Sequence, residues 1–441
     1  MYHDLTEGKI SRSLLLFALP MMAGNLLQQF YNIADTLIVG RVLGSNALAA
    51  VGSAYTLMTF LTSIFLGLSM GSGALFSIYK GKNDQDSLRN AIVHAFALIM
   101  AVTVLLNVLV YIGIDPILHF LRVPDEVWDG MKAYLLVIFA GIIATSLYNY
   151  FSCLLRALGN STIPLVFLAV SAVLNIGLDL LFVAVLPWGI RGAALATVIA
   201  QYVSGIGITL YVLLKCRDLL PSREDLQFNR QILGEIGNLS SMTCVQQSVM
   251  NFGILMIQGL VNSFGTAIMA AFAAAVKIDT LAYMPVQEFG NAFSLFISQN
   301  HGAKRPDRVT AGIRTAVRVS ILFCVIISAV VWIFARPLMQ IFVDAGETTI
   351  IAEGVRYLHI EGAFYWGIGC LFLLYGLYRA IERPAMSLVL TIVSLGTRVA
   401  LAYAFAPHTP LGVSAIWWAI PIGWILADLT GFLYYRKIKK L

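Results

Sequence analysis

Charged residues are scarce in this sequence. They make up 12% of the 441 residues, whereas soluble domains contain about 25%. Hydrophobic residues make up 59%, and the mean hydropathy is +0.83. So few charges cannot cover a folded core with a water-facing surface, which excludes a soluble protein. The composition instead predicts an all-α integral membrane protein.

Histidine and cysteine are also few and dispersed. Most of the six histidines fall near the ends of apolar runs, and the five cysteines form no close pair and no zinc-type spacing. A membrane enzyme would need clustered histidines or acidic residues at a membrane face. The pattern argues against an enzyme, and we expect no cofactor.

The formal net charge of +6 does not indicate nucleic-acid binding, because of where the basic residues lie. Most lysines and arginines fall in polar breaks on the same side as the two termini. This bias follows the positive-inside rule and predicts a multi-pass protein of the cell membrane with both termini in the cytoplasm. We expect a monomer in the lipid bilayer, with no nucleic-acid partner.

Long apolar runs fill most of the chain. A helix needs about 20 apolar residues to cross the hydrocarbon. Twelve runs predict spans over residues 13–40, 48–79, 90–113, 132–156, 162–186, 190–214, 232–262, 267–299, 311–335, 355–379, 384–406 and 411–435. The polar segment 215–231 predicts a cytoplasmic linker between an N-terminal lobe (1–214) and a C-terminal lobe (232–441).

The two halves are related by an internal repeat. Matched positions include Ser77 with Ser298, Gly81 with Gly302, Pro116 with Pro337, Tyr134 with Tyr357, Arg156-Ala157 with Arg379-Ala380, and Gly189 with Gly412. With six crossings, an even number, in each half, both halves enter the membrane in the same orientation. The sequence therefore predicts two parallel six-helix repeats. Many secondary transporters are built in this way, with the substrate path at the repeat interface. Transport is therefore the leading hypothesis.

A glycine cluster at Gly67, Gly71 and Gly73 has a spacing similar to that of a phosphate-binding loop. No strand precedes these glycines, and their neighbours are apolar. The cluster therefore predicts close helix–helix packing.

Two carboxylates lie inside the predicted spans of the first half, Asp35 in the first span and Asp179 in the fifth. Counting from the span ends places both in the outer half of the membrane. Asn175 shares a helix face with Asp179, and Thr197 lies at a matching depth. This all-oxygen set suits Na⁺ or H⁺, and two carboxylates that approach each other away from water are expected to hold a proton. The alternative is that these residues are hydrogen-bonded packing residues.

The second half does not copy this cluster. It instead offers Lys277, Asp279, Glu288, Glu361 and Arg398 as ionisable residues within its predicted spans. Lys277 and Asp279 are two residues apart and cannot share a helix face. Arg398 is a candidate partner of Asp279 or Glu361 in a buried ion pair. We interpret these charges as neutralising one another and so stabilising the bundle, with a different polar lining in this lobe.

In this order, and on a duplicated frame, the residues resemble one family of transporters. The motifs are Pro20, Asp35 and Gly40, the run Arg156–Asn160, Asn175 with Asp179, Gly192–Ala194 with Thr197, and the run Gln299–Ala303. Over essentially its full length, the chain resembles the multidrug and toxic compound extrusion (MATE) transporters. The resemblance implies two six-helix lobes that face each other across a central cavity, in a V-shaped bilobed bundle.

The resemblance also implies a function. It implies efflux of amphipathic, often cationic drugs by alternating access, against an inward flow of H⁺ or Na⁺. The cation site would consist of Asp35, Asn175, Asp179 and Thr197. We expect substrate contacts from Gln28, Tyr31, Asn32, Tyr148, Asn149, Gln246 and Gln247.

The chain departs from some family members in its second lobe. Those members carry a carboxylate in span 7, where this chain has Gln246 and Gln247, and another in span 10, around Gly367 or Ile368. A cation site of that kind is not expected in this lobe.

The alternative function is a flippase for lipid-linked saccharides or peptidoglycan precursors on a related fold. Such a protein is expected to line its cavity with cations that bind pyrophosphate. Here we expect an anionic cavity in the first lobe, and Lys277 and Arg398 are the cations that the predicted topology assigns to neither side of the membrane. The sequence therefore favours the exporter.

Overall fold

A computed structural model describes residues 4–120, 125–219 and 227–438. The regular elements in these ranges are helical: α1 (Ile10–Leu43), α2 (Ser45–Lys82), α3 (Gln85–Ile112), α4 (Ile114–Phe120), α5 (Asp125–Ile138), α6 (Ile142–Ala157), α7 (Thr162–Asp179), α8 (Gly189–Lys215), α9 (Arg230–Asn262), α10 (Thr266–Gly302), α11 (Pro306–Phe342), α12 (Thr348–Gly362), α13 (Tyr365–Ala380), α14 (Pro384–Phe405) and α15 (Val413–Ile438). Within the described residues, 11 helical stretches are long and apolar enough to cross a membrane, and the bent pair α12–α13 raises the number to 12 if it counts as one span. The predicted all-α membrane fold is confirmed. Residues 220–226 of the predicted linker lie outside the described residues.

The internal repeat appears in the way corresponding helices end. Four helices end in a Schellman turn, in which a backbone N–H donates to the carbonyl five residues earlier. The bonds are Asp84 N to Tyr79 O (3.2 Å), Arg305 N to Asn300 O (3.0 Å), Asn160 N to Leu155 O (2.8 Å) and Arg383 N to Tyr378 O (2.8 Å). The residue before each donor is left-handed, with φ of 55° at Asn83, 54° at Lys304, 89° at Gly159 and 60° at Glu382. The two halves thus share backbone geometry where their side chains differ.

We expect Glu382→Gly to stabilise the protein. Glu382 adopts the left-handed conformation that its repeat partner Gly159 adopts without steric conflict. A residue with a Cβ is disfavoured there by about 1–2 kcal/mol, and the greater freedom of glycine in the unfolded chain offsets part of the gain. Thermal unfolding in detergent should show a melting temperature a few degrees higher for Glu382→Gly and no gain for Glu382→Ala. Equal melting temperatures of the two variants would contradict this explanation.

Two spans are interrupted at corresponding positions of the repeats. A 3₁₀ turn, Phe139–Gly141, separates α5 from α6, and α12 and α13 meet at an angle of 52°. Side chains also bond to the backbone of the first break. Asn107 Nδ2 donates to the Phe139 carbonyl (2.8 Å), and the Tyr202 hydroxyl donates to the Ala140 carbonyl (2.9 Å). The sequence predicted continuous spans over 132–156 and 355–379, because hydropathy does not fall at either break.

The chain divides into two compact units. The first contains Ala23–Cys244, and the second contains Leu5–Met22 and Val245–Leu441. The divisions therefore fall inside α1 and α9, whereas the sequence placed the boundary at the polar segment 215–231. The first turns of α9 pack with α2 in the first unit, where Ser72 Oγ and Ser240 Oγ form a hydrogen bond of 2.9 Å.

The glycines of α2 allow this close packing. A Cβ on Gly67 would lie 2.5 Å from the Cα of Cys244, and one on Gly71 would lie 2.5 Å from the Leu239 carbonyl oxygen. Gly73 faces Cys153 at 3.4 Å. Distances below 3 Å leave no room for any side chain, so the prediction of close helix–helix packing is confirmed.

In the second unit the segment before α1 is held against the end of α10 and the start of α11. Leu5 is fully buried, and its carbonyl accepts from Asn300 Nδ2 (3.1 Å) and from Arg308 Nη2 (3.1 Å). The guanidinium of Arg308 also donates to the carbonyls of Glu7 (3.0 Å) and Gly8 (2.9 Å). The Gln299–Ala303 motif, at the end of α10, therefore has a structural function in binding the N-terminal backbone.

Candidate cation site

The two carboxylates predicted for the cation site lie next to each other in the first unit. Asp35 belongs to α1, and Asp179 is the last residue of α7. Asp179 is 0% exposed, and Asp35 is the charged group that acts most strongly on it. Oδ1 of Asp35 and both carboxylate oxygens of Asp179 are buried and have no hydrogen-bond partner among the described residues.

The amide and the hydroxyl predicted for this site also meet. Asn175 is 2% exposed, and its Nδ2 donates to Thr197 Oγ1 at 3.3 Å. Thr197 in turn donates to the Ala193 carbonyl of its own helix at 3.2 Å. The Oδ1 atom of Asn175 takes no part in these bonds. It is buried and has no hydrogen-bond partner among the described residues.

The helix changes its winding at Asp179. Residues Leu180–Val185 form a π-helical segment directly after α7, and the Leu186 N–H donates to the Leu181 carbonyl at 2.8 Å. Such wide turns are uncommon and often occur at functional sites. Nothing in the hydropathy pattern predicted this segment.

Two tyrosines, Tyr31 and Tyr134, are neighbours of the carboxylate pair. Tyr31 has Tyr55, Asp35 and Tyr148 as its electrostatic neighbours, and Tyr134 has Asp35, Asp179 and Tyr31. Sequence reasoning had matched Tyr134 with Tyr357 in the repeat but did not assign it to the site. A tyrosine that recurs in both halves inside a predicted span was the signal that could have found it.

The residues predicted to contact substrate are distributed over both units. In the first unit the side chains of Gln28 and Tyr31 are hydrogen-bonded to each other. Asn32 Nδ2 lies 3.5 Å from the Tyr55 hydroxyl. The Tyr148 hydroxyl donates to the Pro164 carbonyl at 3.0 Å. Asn149 lies on α6 of the same unit, and its Nδ2 donates to the Thr145 carbonyl (3.0 Å). Gln246 and Gln247 lie on α9, in the part that belongs to the second unit.

In the second unit Lys277 and Glu288 lie in different surroundings on α10. The ammonium of Lys277 lies 5.9 Å from the centre of the Phe342 ring, a cation–π contact. Glu288 accepts from Asn291 Nδ2 at 3.3 Å, and Asn291 Oδ1 accepts from Arg379 Nη2 at 3.1 Å. Both residues therefore have packing or hydrogen-bonding partners.

The predicted ion pair of Arg398 is wrong. Among the described residues, no nitrogen–oxygen distance within 4.0 Å joins Arg398 to Asp279 or Glu361. Nε of Arg398 is buried without a hydrogen-bond partner in that part of the chain. The guanidinium acts on both carboxylates through its charge without coming within ion-pair distance of either.

Asp428 on α15 is an acidic residue that sequence reasoning missed. Both of its carboxylate oxygens are buried without a hydrogen-bond partner in the described ranges. A Cβ on Gly367 would lie 3.7 Å from Asp428 Oδ2. The signal was a single acidic residue in the last predicted span.

An all-helical chain with two repeats of membrane spans and buried carboxylates within those spans has the construction of a secondary transporter. Comparison with known proteins identifies the family. The MatE family model matches residues 20–181 and 242–404, one segment in each half. The chain belongs to the MATE family, and as a member it is a transporter and not an enzyme.

The chain is similar to curated bacterial proteins over nearly its whole length. It is 30% identical to "Probable multidrug resistance protein YpnP" of Bacillus subtilis (strain 168), covering 98% of this chain and 96% of that protein. It is 25% identical to "Probable multidrug resistance protein YoeA" of the same organism, covering 99% and 95%. A solved structure described as the outward-facing conformation of a multidrug resistance MATE family transporter matches with a TM-score of 0.92 at 24% identity, covering 98% and 96%. This structural likeness is one of fold.

Proposed function

We propose that this protein is a secondary active exporter, which exchanges H⁺ or Na⁺ for amphipathic, often cationic compounds. The observation that carries the proposal is the group of unpartnered buried oxygens on Asp35, Asn175 and Asp179. Buried acceptors without donors are destabilising unless a cation or a proton binds there. The group contains two carboxylates and an amide oxygen, which are ligands that a hard cation prefers.

Coupling would arise from competition between the cation and the exported compound. With no cation bound, the carboxylates of Asp35 and Asp179 give the candidate site a negative charge that attracts a cationic compound. Binding of H⁺ or Na⁺ neutralises this charge and weakens the attraction. A ligand drives a conformational change only if it binds the two states unequally, so the cation would favour the state that releases the compound outward.

Aromatic side chains support the substrate class. Tyr31 and Tyr134 are neighbours of the carboxylate pair, and Tyr55 and Tyr148 are neighbours of Tyr31. Aromatic rings bind organic cations through their faces. Two curated relatives are named "Probable multidrug resistance protein", which agrees with this class. We further propose that the protein works as a monomer in the cell membrane, with both termini in the cytoplasm.

The test is dye efflux from proteoliposomes, with a pH gradient and a Na⁺ gradient imposed in separate experiments. We expect one gradient to drive export of a cationic dye, which would identify the coupling ion. Liposomes without protein, under the same gradients, serve as the control. Failure of both gradients to move any of several unrelated cationic dyes would overturn the proposal and favour the flippase.

A further inference from the structure

Asp279 on α10 and Glu361 on α12 form a second pair of buried carboxylates, within the second unit. Their exposed fractions are 4% and 1%, and their side chains interact directly with each other. Oδ2 of Asp279 accepts from the Tyr357 hydroxyl at 3.4 Å. Oδ1 of Asp279 and Oε1 of Glu361 are buried and have no hydrogen-bond partner among the described residues.

Tyr365 places a buried hydroxyl at the same site. Tyr365 is fully buried, and its side chain interacts directly with Asp279. The titratable and charged groups around the pair, from four helices, are Tyr283, Tyr357, Tyr365 and Arg398.

The charges of this cluster do not balance unless a proton binds. Two ionised carboxylates and the guanidinium of Arg398 have a net charge of −1 in a place that excludes water, which is strongly unfavourable. One proton shared between Asp279 and Glu361 makes the cluster neutral. It also supplies the donor that an unpartnered carboxylate oxygen needs, because two ionised carboxylates cannot hydrogen-bond to each other.

The helix that contains Glu361 is discontinuous, as many substrate- and ion-binding helices of secondary transporters are. The span breaks directly after this residue, where α12 and α13 meet at 52°, and discontinuous spans at corresponding positions of two repeats often mark binding sites. Tyr357, which bonds to Asp279, is the repeat partner of Tyr134, which neighbours Asp35 and Asp179. The same repeat position thus places a tyrosine beside a carboxylate pair in both units.

We propose that Asp279 and Glu361 form a proton-binding site in the second unit, in which the two carboxyl groups share one proton and Arg398 balances the remaining charge. The ligand is H⁺ and not Na⁺, because the nearby guanidinium repels a metal cation while a shared proton forms a short O–H···O bond. Binding forms one O–H bond with a proton from water, and release breaks the same bond. The site does not depend on the exchange proposed above.

The experiment is infrared difference spectroscopy of the purified full chain in H₂O and D₂O at neutral pH. It follows the carbonyl absorption of protonated carboxyl groups. The background carries Asp35→Asn and Asp179→Asn, so that the first pair contributes nothing. We expect Asp279→Asn and Glu361→Gln each to remove the same band, equal to one protonated carboxyl group, since either change leaves one carboxylate balanced by Arg398.

Two further variants sharpen the result. Arg398→Gln should increase the absorption by one protonated carboxyl group, because two carboxylates without a counter-ion take up two protons. Glu288→Gln, a hydrogen-bonded carboxylate on the same helix, should leave the band unchanged. The proposal is overturned if the band survives in either carboxamide variant, or if Arg398→Gln adds no absorption. If Arg398→Gln does not fold, the two carboxamide variants decide the result alone.

Discussion

Asp179→Asn is expected to reduce cation-driven export at least about tenfold while the protein remains folded. Asparagine keeps the size and buried position of Asp179 but can neither carry a negative charge nor take up a proton. Coupling between two ligands is typically 1–3 kcal/mol, so removal of the group that couples them should lower gradient-driven efflux by about tenfold or more. The measurement is the initial rate of dye efflux from proteoliposomes, and Asp35→Asn should give the same loss.

The matched control is Asp115→Asn. Asp115 is a half-exposed carboxylate in the same unit, paired with Lys132 at 2.5 Å, and an exposed ion pair contributes only about 0–1 kcal/mol. This variant should transport at the wild-type rate. Wild-type coupling in Asp179→Asn would instead show that the carboxylate pair is a packing element.

Gly205→Val is expected to prevent the first unit from packing. A Cβ on Gly205 of α8 would lie 2.5 Å from the Ala144 carbonyl oxygen of α6, and a backbone atom cannot move away as a flexible side chain can. Overpacking a core costs about 1–3 kcal/mol, and we expect a loss at the upper end of this range or beyond it, because two whole helices must separate. Thermal unfolding in detergent should show a large fall in melting temperature, together with a low yield of folded protein.

Gly396→Ala on α14 is the control for this effect. A Cβ at Gly396 meets no heavy atom within 4 Å, and alanine is favoured over glycine inside a helix by about 1 kcal/mol. Its melting temperature should equal or exceed that of the wild type. Similar melting temperatures for the two variants would contradict a packing requirement at Gly205.

The membrane fold could be predicted from sequence because hydropathy determines which segments cross the bilayer. The limits of most predicted spans fall within a few residues of the helix ends, as at Lys215, where the structure ends a span predicted to end at 214. Hydropathy does not register changes of direction, and so the breaks after Phe139 and Gly362 were missed. It also could not predict that α1 and α9 each contribute to both compact units.

The sequence named the polar residues of the candidate site and only part of its surroundings. Asp35, Asn175, Asp179 and Thr197 stood out because a polar group inside a span needs an explanation. Tyr134 did not stand out, since a tyrosine is acceptable almost anywhere in a membrane helix. The ion pair of Arg398 was predicted from opposite charge alone, and charge does not determine whether side chains on separate helices can reach each other.

The central claim is that cation and exported compound compete through the Asp35–Asp179 pair, and equilibrium binding tests it most directly. The affinity of purified protein for a fluorescent cationic dye would be measured over a range of pH and, separately, of Na⁺ concentration. We expect the coupling ion to weaken dye binding to the wild type, and to have no effect on binding to Asp179→Asn. Dye affinity that depends on the cation equally in both proteins would contradict the account.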